Sequence, residues 1–281
     1  MSLPQDSHVH TEWSWDAMRG SMTASCARAV EIGLPSLAFT EHADLTPWTI
    51  QPDHVQYLPE HFQVLLRPDG LFEAPAMNVD GYLECVEECR ERYPGLRILS
   101  GVELSEPHWH ADRADALLRS TAFDRILGSV HTIRNEDGNH LADLLTGRWP
   151  FERVIREYLA EVLELVESSS EFEVLAHIDY PARHWPDPVT PYAPEAFEDE
   201  FRTVLRALAR SGRALEINTK VPLRAEVVRW WHEAGGDAVS FGSDAHDPVD
   251  IARGFAEAAA MAEYHGFHPG RDPHDLWRRH L

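Results

Sequence analysis

The chain begins its chemistry at Asp6-Ser7-His8-Val9-His10, with Asp16 six residues further on. In an extended strand, residues two apart project from the same face, so His8 and His10 present two imidazoles side by side. Ser243-Asp244-Ala245-His246 repeats the arrangement near the other end of the chain. With 17 histidines in 281 residues, a single His-x-His can arise by chance. The argument for a metal site therefore rests on where the other candidate ligands fall.

Short runs rich in Val, Ile, Leu and Phe recur, and longer stretches with helical periodicity follow them. The expected strands are Ser7 to His10, Ser36 to His42, Arg97 to Leu104, Arg125 to Thr132, Glu173 to Asp179, Ala214 to Asn218 and Val239 to His246. The expected helices are Thr23 to Ile32, Asp80 to Tyr93, Asp112 to Ala122, Phe151 to Ser168, Pro194 to Arg210, Leu223 to Ala234 and Pro248 to His265. Gly33-Leu34-Pro35, Pro94-Gly95 and Gly235-Gly236 mark turns between a helix and the next strand. Such alternation predicts an α/β fold with parallel strands and helical crossovers. A barrel of this length is commonly a single domain, so residues 1–281 are expected to form one, with a long βα-loop insertion at about 43–78. That proline-rich segment follows the second strand and is expected to lie over the site.

In parallel barrels the reactive groups stand at the C-terminal ends of strands. Those positions here hold His8 and His10, His42, Glu103, His131, His177, Asn218, and Asp244 with His246. Any one of them could be an ordinary polar group at a core edge. A possible metal ligand at the end of six of the seven expected strands is much harder to explain that way. Gly101 would leave room for close approach beside Glu103. His108-Trp109-His110 is a second His-x-His, but it follows Pro107 in a loop where nothing enforces a common face.

The series Asp6-x-His8-x-His10, Asp16, Thr40-Glu41-His42, Gly101-x-Glu103, Gly128-Ser129-x-His131, Ala176-His177 and Gly242-Ser243-Asp244-Ala245-His246 resembles, in order, the motifs of the polymerase and histidinol phosphatase (PHP) superfamily. Within it the chain looks most similar to monofunctional histidinol-phosphate phosphatases. The resemblance implies a distorted (β/α)7 barrel, TIM-like, with a trinuclear centre of divalent transition-metal ions. His8, His10, Glu103 and Asp244 would hold one ion; Glu103, His131 and His177 a second; Asp16, His42 and His246 a third. It further implies hydrolysis of L-histidinol phosphate by a metal-bridging hydroxide, held by Glu103, His10, Asp244 and His131.

Mixed imidazole and carboxylate ligands suit Zn, Fe or Mn without choosing among them. Three divalent ions over three carboxylates and one hydroxide leave a local charge of about +2. A formal net charge of -22 argues against long polyanions and anionic lipid as partners. A small phosphate ester would still be drawn in by the local field, because distant charges are screened over about 8 Å at physiological salt. Arg183 is the expected phosphate-binding residue, with Arg19 and Lys220 behind it. Trp13, Trp15, Trp48, Trp109 and Trp185 fall in loops after ligand-bearing strands, where they either close a rim by packing or stack on a substrate ring.

Cys26, Cys85 and Cys89 lack a disulfide or zinc-knuckle spacing, and no basic leader or apolar run long enough to span a membrane is present. A cytoplasmic protein is expected. The alternative within the superfamily is a phosphoesterase acting on nucleotides or nucleic-acid ends. An amidohydrolase also opens on His-x-His, but it commonly carries a modified lysine on its fourth strand, and this fourth strand has none. A non-catalytic metal-binding barrel would be expected to lack ligands, and all nine positions carry one.

Overall fold

The computed structural model describes residues 3–50, 55, 56, 58, 60–186 and 192–279. Seven parallel strands stand side by side in the order in which the chain makes them. They are β1 (Asp6–Val9), β2 (Ser36–Asp44), β3 (Arg97–Ser105), β4 (Arg125–Ser129), β5 (Val174–Leu175), β6 (Ala214–Asn218) and β7 (Ala238–Gly242). A helix follows each: α1 (Met22–Ile32), α2 (Val79–Arg92), α3 (Ala111–Ser120), α4 (Phe151–Ser168), α5 (Glu198–Ser211), α6 (Ala225–Glu233) and α7 (Phe255–Tyr264). The first and last strands meet just beyond β7, where Val9 bridges Ala245. Asp244 N–H donates to His8 C=O at 2.8 Å, and His10 N–H donates to Ala245 C=O at 2.9 Å.

Two strands absent from the sequence reading explain why this (β/α)7 barrel is distorted. β8 (Phe267–His268) and β9 (Trp277–Arg279) form an antiparallel pair, and β9 takes the edge of β7 at Ala238 and Val239. The seam between β1 and β7 therefore closes at the C-terminal end and is occupied by β9 at the other. Each of these strands is only two or three residues long, too short for a period-two pattern to emerge.

The helices end where their sequences require. Ser21 caps α1 by accepting from Ala24 N–H, and Gly33 closes it with φ of 71°. The expected helix from Pro248 breaks, leaving a 3₁₀ turn at Pro248–Asp250 and starting α7 only after Gly254, whose φ is 73°. On α6, Trp230 and Trp231 are wholly buried, and Trp231 Nε1 donates to Ala238 C=O at 3.1 Å. Gly236 is required beside them, because a Cβ there would stand 2.0 Å from Trp231 Cε2. Trp231→Ala is expected to cost about 3–5 kcal/mol in urea unfolding, since it empties a core site and removes the Nε1 hydrogen bond.

The insertion after β2 is only partly described, and residues 51–54, 57 and 59 lie outside the described residues. Its described part includes an antiparallel pair, Trp48–Thr49 with Leu71–Phe72, and a helical turn at Glu60–Gln63. Trp48 and Phe72 stack there with ring centroids 4.8 Å apart.

Candidate metal centre

All nine expected ligands converge at the C-terminal mouth of the barrel. Glu103 is their hub. Its Oε1 lies 2.8 Å from His177 Nε2 and 3.3 Å from His131 Nε2. Its Oε2 lies 3.0 Å from His42 Nδ1, 3.3 Å from His8 Nε2 and 3.5 Å from His10 Nε2. Asp244 Oδ1 stands 3.6 Å from His10 Nε2 and 3.5 Å from His246 Nδ1. Asp16 faces both His42, at 3.4 Å, and His246, at 3.3 Å. Four sets of three could each hold a metal ion here: His10, His42 and His246; His8, His10 and Glu103; His8, His177 and Asp244; and His42, Glu103 and His131. These sets do not coincide with the three implied by the family resemblance. In the observed arrangement His42 leans onto Glu103 and His177 approaches His8 and Asp244.

The donor set fits metal ions. His8 and His10 bring their Nε2 atoms within 3.0 Å, and His131 and His177 theirs within 3.4 Å. Each pair has at most one shared proton to relieve two facing lone pairs, whereas a cation can accept both. Asp16 Oδ1, His42 Nδ1 and Glu103 Oε2 are buried with no hydrogen-bond partner, as expected of atoms that wait for an ion. Burial works against charge on Glu103, yet His8, His131 and His42 hold its carboxyl well below the usual carboxylate range. Asp244 is lowered likewise by Arg183 and Lys220, and Asp16 by His42, each against its own burial. Burial holds His177 down at about 4, and burial with the neighbouring His42 and His246 holds His10 well below the ordinary imidazole value. The cluster thus presents ionised carboxylates with His10 and His177 neutral. Against their burial, Glu216 and Glu103 raise His8 well above the ordinary imidazole value, Asp16 does the same to His42, and Glu103 raises His131 to about 10, protons that a bound cation would displace.

A second layer of carboxylates holds the ligand-bearing backbone, and the sequence reading assigned it no role. Glu216 accepts from His8 Nδ1 and from His177 N–H, both at 2.7 Å. Glu106 accepts from His131 N–H at 2.6 Å and Thr132 N–H at 2.8 Å. Glu41 accepts from Thr11 N–H at 2.9 Å, and Asp6 accepts from Ser243 N–H at 3.0 Å. Asp44 lies 3.1 Å from His131 Nδ1 and also takes the Ser105 hydroxyl. These bonds correct three expected strands. β4 stops at Ser129 rather than Thr132, and β5 has two residues where Glu173 to Asp179 was expected. β7 ends at Gly242 rather than His246, because Ser243 N–H turns to Asp6 and Asp244 takes a φ of 52°. His131, Thr132 and His177 donate to carboxylates instead of to a neighbouring strand.

Period two could have found part of this layer. Asp44, Ser105 and Glu216 each stand two residues from a marked strand-end position, and a carboxylate inside Ala-Leu-Glu-Ile-Asn is conspicuous. Glu216→Gln keeps the shape and removes the charge that fixes His8. It is expected to weaken metal retention about 10- to 100-fold in a chelator titration. Gly242 makes room for this contact, because a Cβ there would meet Glu216 Oε1 at 2.0 Å.

The remaining candidates separate clearly. Arg183, in the 3₁₀ turn Tyr180–His184, ion-pairs with Asp244 and lies over the Tyr180 ring at 4.8 Å. Lys220 Nζ lies 3.1 Å from both Asp244 Oδ1 and His246 Nδ1, so the lone lysine is in the site. Arg19 stands at the rim, 80% exposed and paired with Asp247, where it lines a second cavity with Asp16, Lys220, Asp244 and His246. His108 binds Glu161 and His110 binds Thr46, so the second His-x-His stays outside the cluster. Trp15 and Trp48 join Phe62 in lining a cavity of about 240 Å³ above the ligands. Trp13 packs at Gly81, Trp109 under Arg134 and Trp185 on Phe151.

A parallel βα-barrel with a buried His, Asp and Glu cluster at the C-terminal ends of its strands is the architecture of a metal-binding hydrolase. The chain belongs to the PHP domain family, whose model matches residues 6–220. A probable histidinol-phosphatase of Thermotoga maritima is 34% identical over 262 residues, covering 90% of this chain and 88% of that protein. The histidinol-phosphatase of Lactococcus lactis is 25% identical over 272 residues, covering 94% and 91%. A crystal structure of the L. lactis histidinol phosphate phosphatase, complexed with zinc, L-histidinol and phosphate, superposes with a TM-score of 0.77 at 21% identity, over 98% of this chain and 99% of that one. That structure supports the fold. Among the described residues no helix is long and apolar enough to cross a membrane.

Proposed function

We propose that this protein is a metal-dependent phosphomonoesterase that hydrolyses L-histidinol phosphate to L-histidinol and phosphate. The convergence of nine ligand side chains beneath a small mouth that also holds Arg183 and Lys220 carries the reading. The relatives' names support the substrate. Three divalent ions are assigned: one to His8, His10, Glu103 and Asp244, one to Glu103, His131 and His177, and one to Asp16, His42 and His246. Zn, Fe and Mn all suit these donors. Bound there, such ions supply Lewis acidity and make water nucleophilic at neutral pH.

The chain's own groups do the rest. Arg183 and Lys220 offer donors to phosphoryl oxygens and balance their charge. Trp15, Trp48 and Phe62 give the cavity an apolar side that excludes water and can stack on an imidazole. The three cysteines are free, in keeping with the reducing cytoplasm where we place the protein. The test is phosphate release from L-histidinol phosphate by protein of measured metal content, run beside AMP, other phosphomonoesters and a dinucleotide. A kcat/KM above about 10⁴ M⁻¹s⁻¹ for histidinol phosphate, well above the rest, is expected. Faster AMP cleavage, or equally slow rates throughout, would reject this substrate and leave a metal phosphoesterase.

A further inference from the structure

A wide cleft lies at the opposite end of the barrel from the metal centre. It measures about 760 Å³ and opens where β3 and β4 begin, beside the C-terminal pair β8 and β9. Arg97 and Glu103 share one face of β3, and the six residue steps from one to the other span roughly 20 Å of strand. The two sites are therefore separate.

Five arginines line this cleft: Arg97, Arg125, Arg271, Arg278 and Arg279. The acidic groups in the same wall are already engaged. Asp124 accepts from Ser100 N–H and Arg90, Glu173 accepts from Ile126 N–H and pairs with Arg125, and Asp275 accepts from Asp272 N–H. Arg278 pairs with Asp237, and Arg279 reaches the His232 carbonyl. Arg97 and Arg271 are exposed and make no ion pair with any described residue. Arg125 adds an independent observation. Its side chain is only 6% exposed, and its Nε is buried with no hydrogen-bond partner. A buried guanidinium donor left unpaired is costly, and a ligand oxygen would satisfy it.

This gathering of positive charge stands out against a chain of net charge -22. A concave wall with an excess of one sign of charge over a low-dielectric interior concentrates the field. Guanidinium forks match planar and tetrahedral oxyanions with paired hydrogen bonds. We propose that the arginine-lined cleft at the N-terminal end of the barrel binds a small polyanion, one with two or more oxyanion groups, independently of the metal centre.

The probe is pyrenetetrasulfonate, a fluorescent polyanion whose sulfonates are poor metal ligands, followed by anisotropy as metal-loaded full-length protein is added. Saturable binding is expected. The paired substitution Arg97→Glu and Arg271→Glu, at two exposed positions, should weaken it at least about tenfold through lost charge-assisted bonds. The same variant should keep kcat/KM for a phosphomonoester within about twofold of the parent, since both residues stand far from the mouth. Arg183→Met should leave probe binding unchanged. Failure of the parent protein to bind, unchanged binding in the charge-reversed variant, or loss of binding in Arg183→Met would each overturn the proposal.

Discussion

Glu103→Gln is expected to lower phosphate release by on the order of 10³-fold, about 4 kcal/mol of lost transition-state stabilisation, and to strip bound metal from the protein. The carboxylate is fully buried and lies within 3.5 Å of five imidazoles, so no other single side chain touches as much of the centre. It belongs to two of the four geometric ligand sets. A glutamine of the same volume replaces one oxygen by an NH₂ group, which can donate to an imidazole but cannot ligate an ion. The fold should survive, because the chain loses a charge held against a burial cost and creates no cavity. Circular dichroism and thermal melting of the metal-free forms should therefore agree between variant and parent, while elemental analysis after loading should show a deficit. A variant that retained its full metal complement and worked within tenfold of the parent would remove Glu103 from the centre of the argument.

The site was legible because strands impose a period of two and barrels present their strand ends. Both rules act on single residues, so His8 and His10 reveal themselves without any knowledge of what lies across the barrel, whereas Asp244 and His246 share the spacing but lie beyond the end of β7 at Gly242. The second layer was less legible for the opposite reason. Glu106, with φ of 46°, lies beyond β3 in no repeating pattern, and its purpose becomes clear only when His131 N–H is seen to point at it. Asp244 itself has φ of 52°, a conformation that aspartate tolerates and that no sequence period signals. The helices and the turns at Gly33 and Gly235 follow from local propensity. Pairing β9 with β7 is a long-range event between a two-residue ladder and a strand edge, and local pattern does not encode it.

The buried second layer also changes the electrostatic balance. With the three ions proposed above, counting only Asp16, Glu103 and Asp244 would leave an excess of positive charge. Asp44 and Glu216 are buried too, and although burial opposes it, His42 lowers the carboxyl of Asp44 and His8 that of Glu216. Adding these two anions brings the neighbourhood of the loaded centre close to neutrality. A phosphate ester dianion then needs cations from the protein itself.

Arg183→Met is accordingly expected to lower kcat/KM for a phosphomonoester by about 10² to 10⁴-fold, because two charge-assisted hydrogen bonds of about 1.5–3 kcal/mol each are removed. Metal content should stay near that of the parent, since Arg183 donates to Asp244 and is not itself a ligand. Arg183→Lys keeps the charge and loses the planar fork, so an intermediate loss is expected. Lys220 does not replace the missing arginine: it already divides its ammonium between Asp244 and His246, and its side chain is 38% exposed, where water weakens its pull. Steady-state rates on both variants, with metal content measured on the same samples, separate the two roles. Activity within about fivefold of the parent in Arg183→Met would mean that the ions alone carry the phosphoryl charge, and equal losses of metal and of rate would mean that the residue serves only to hold Asp244 in place.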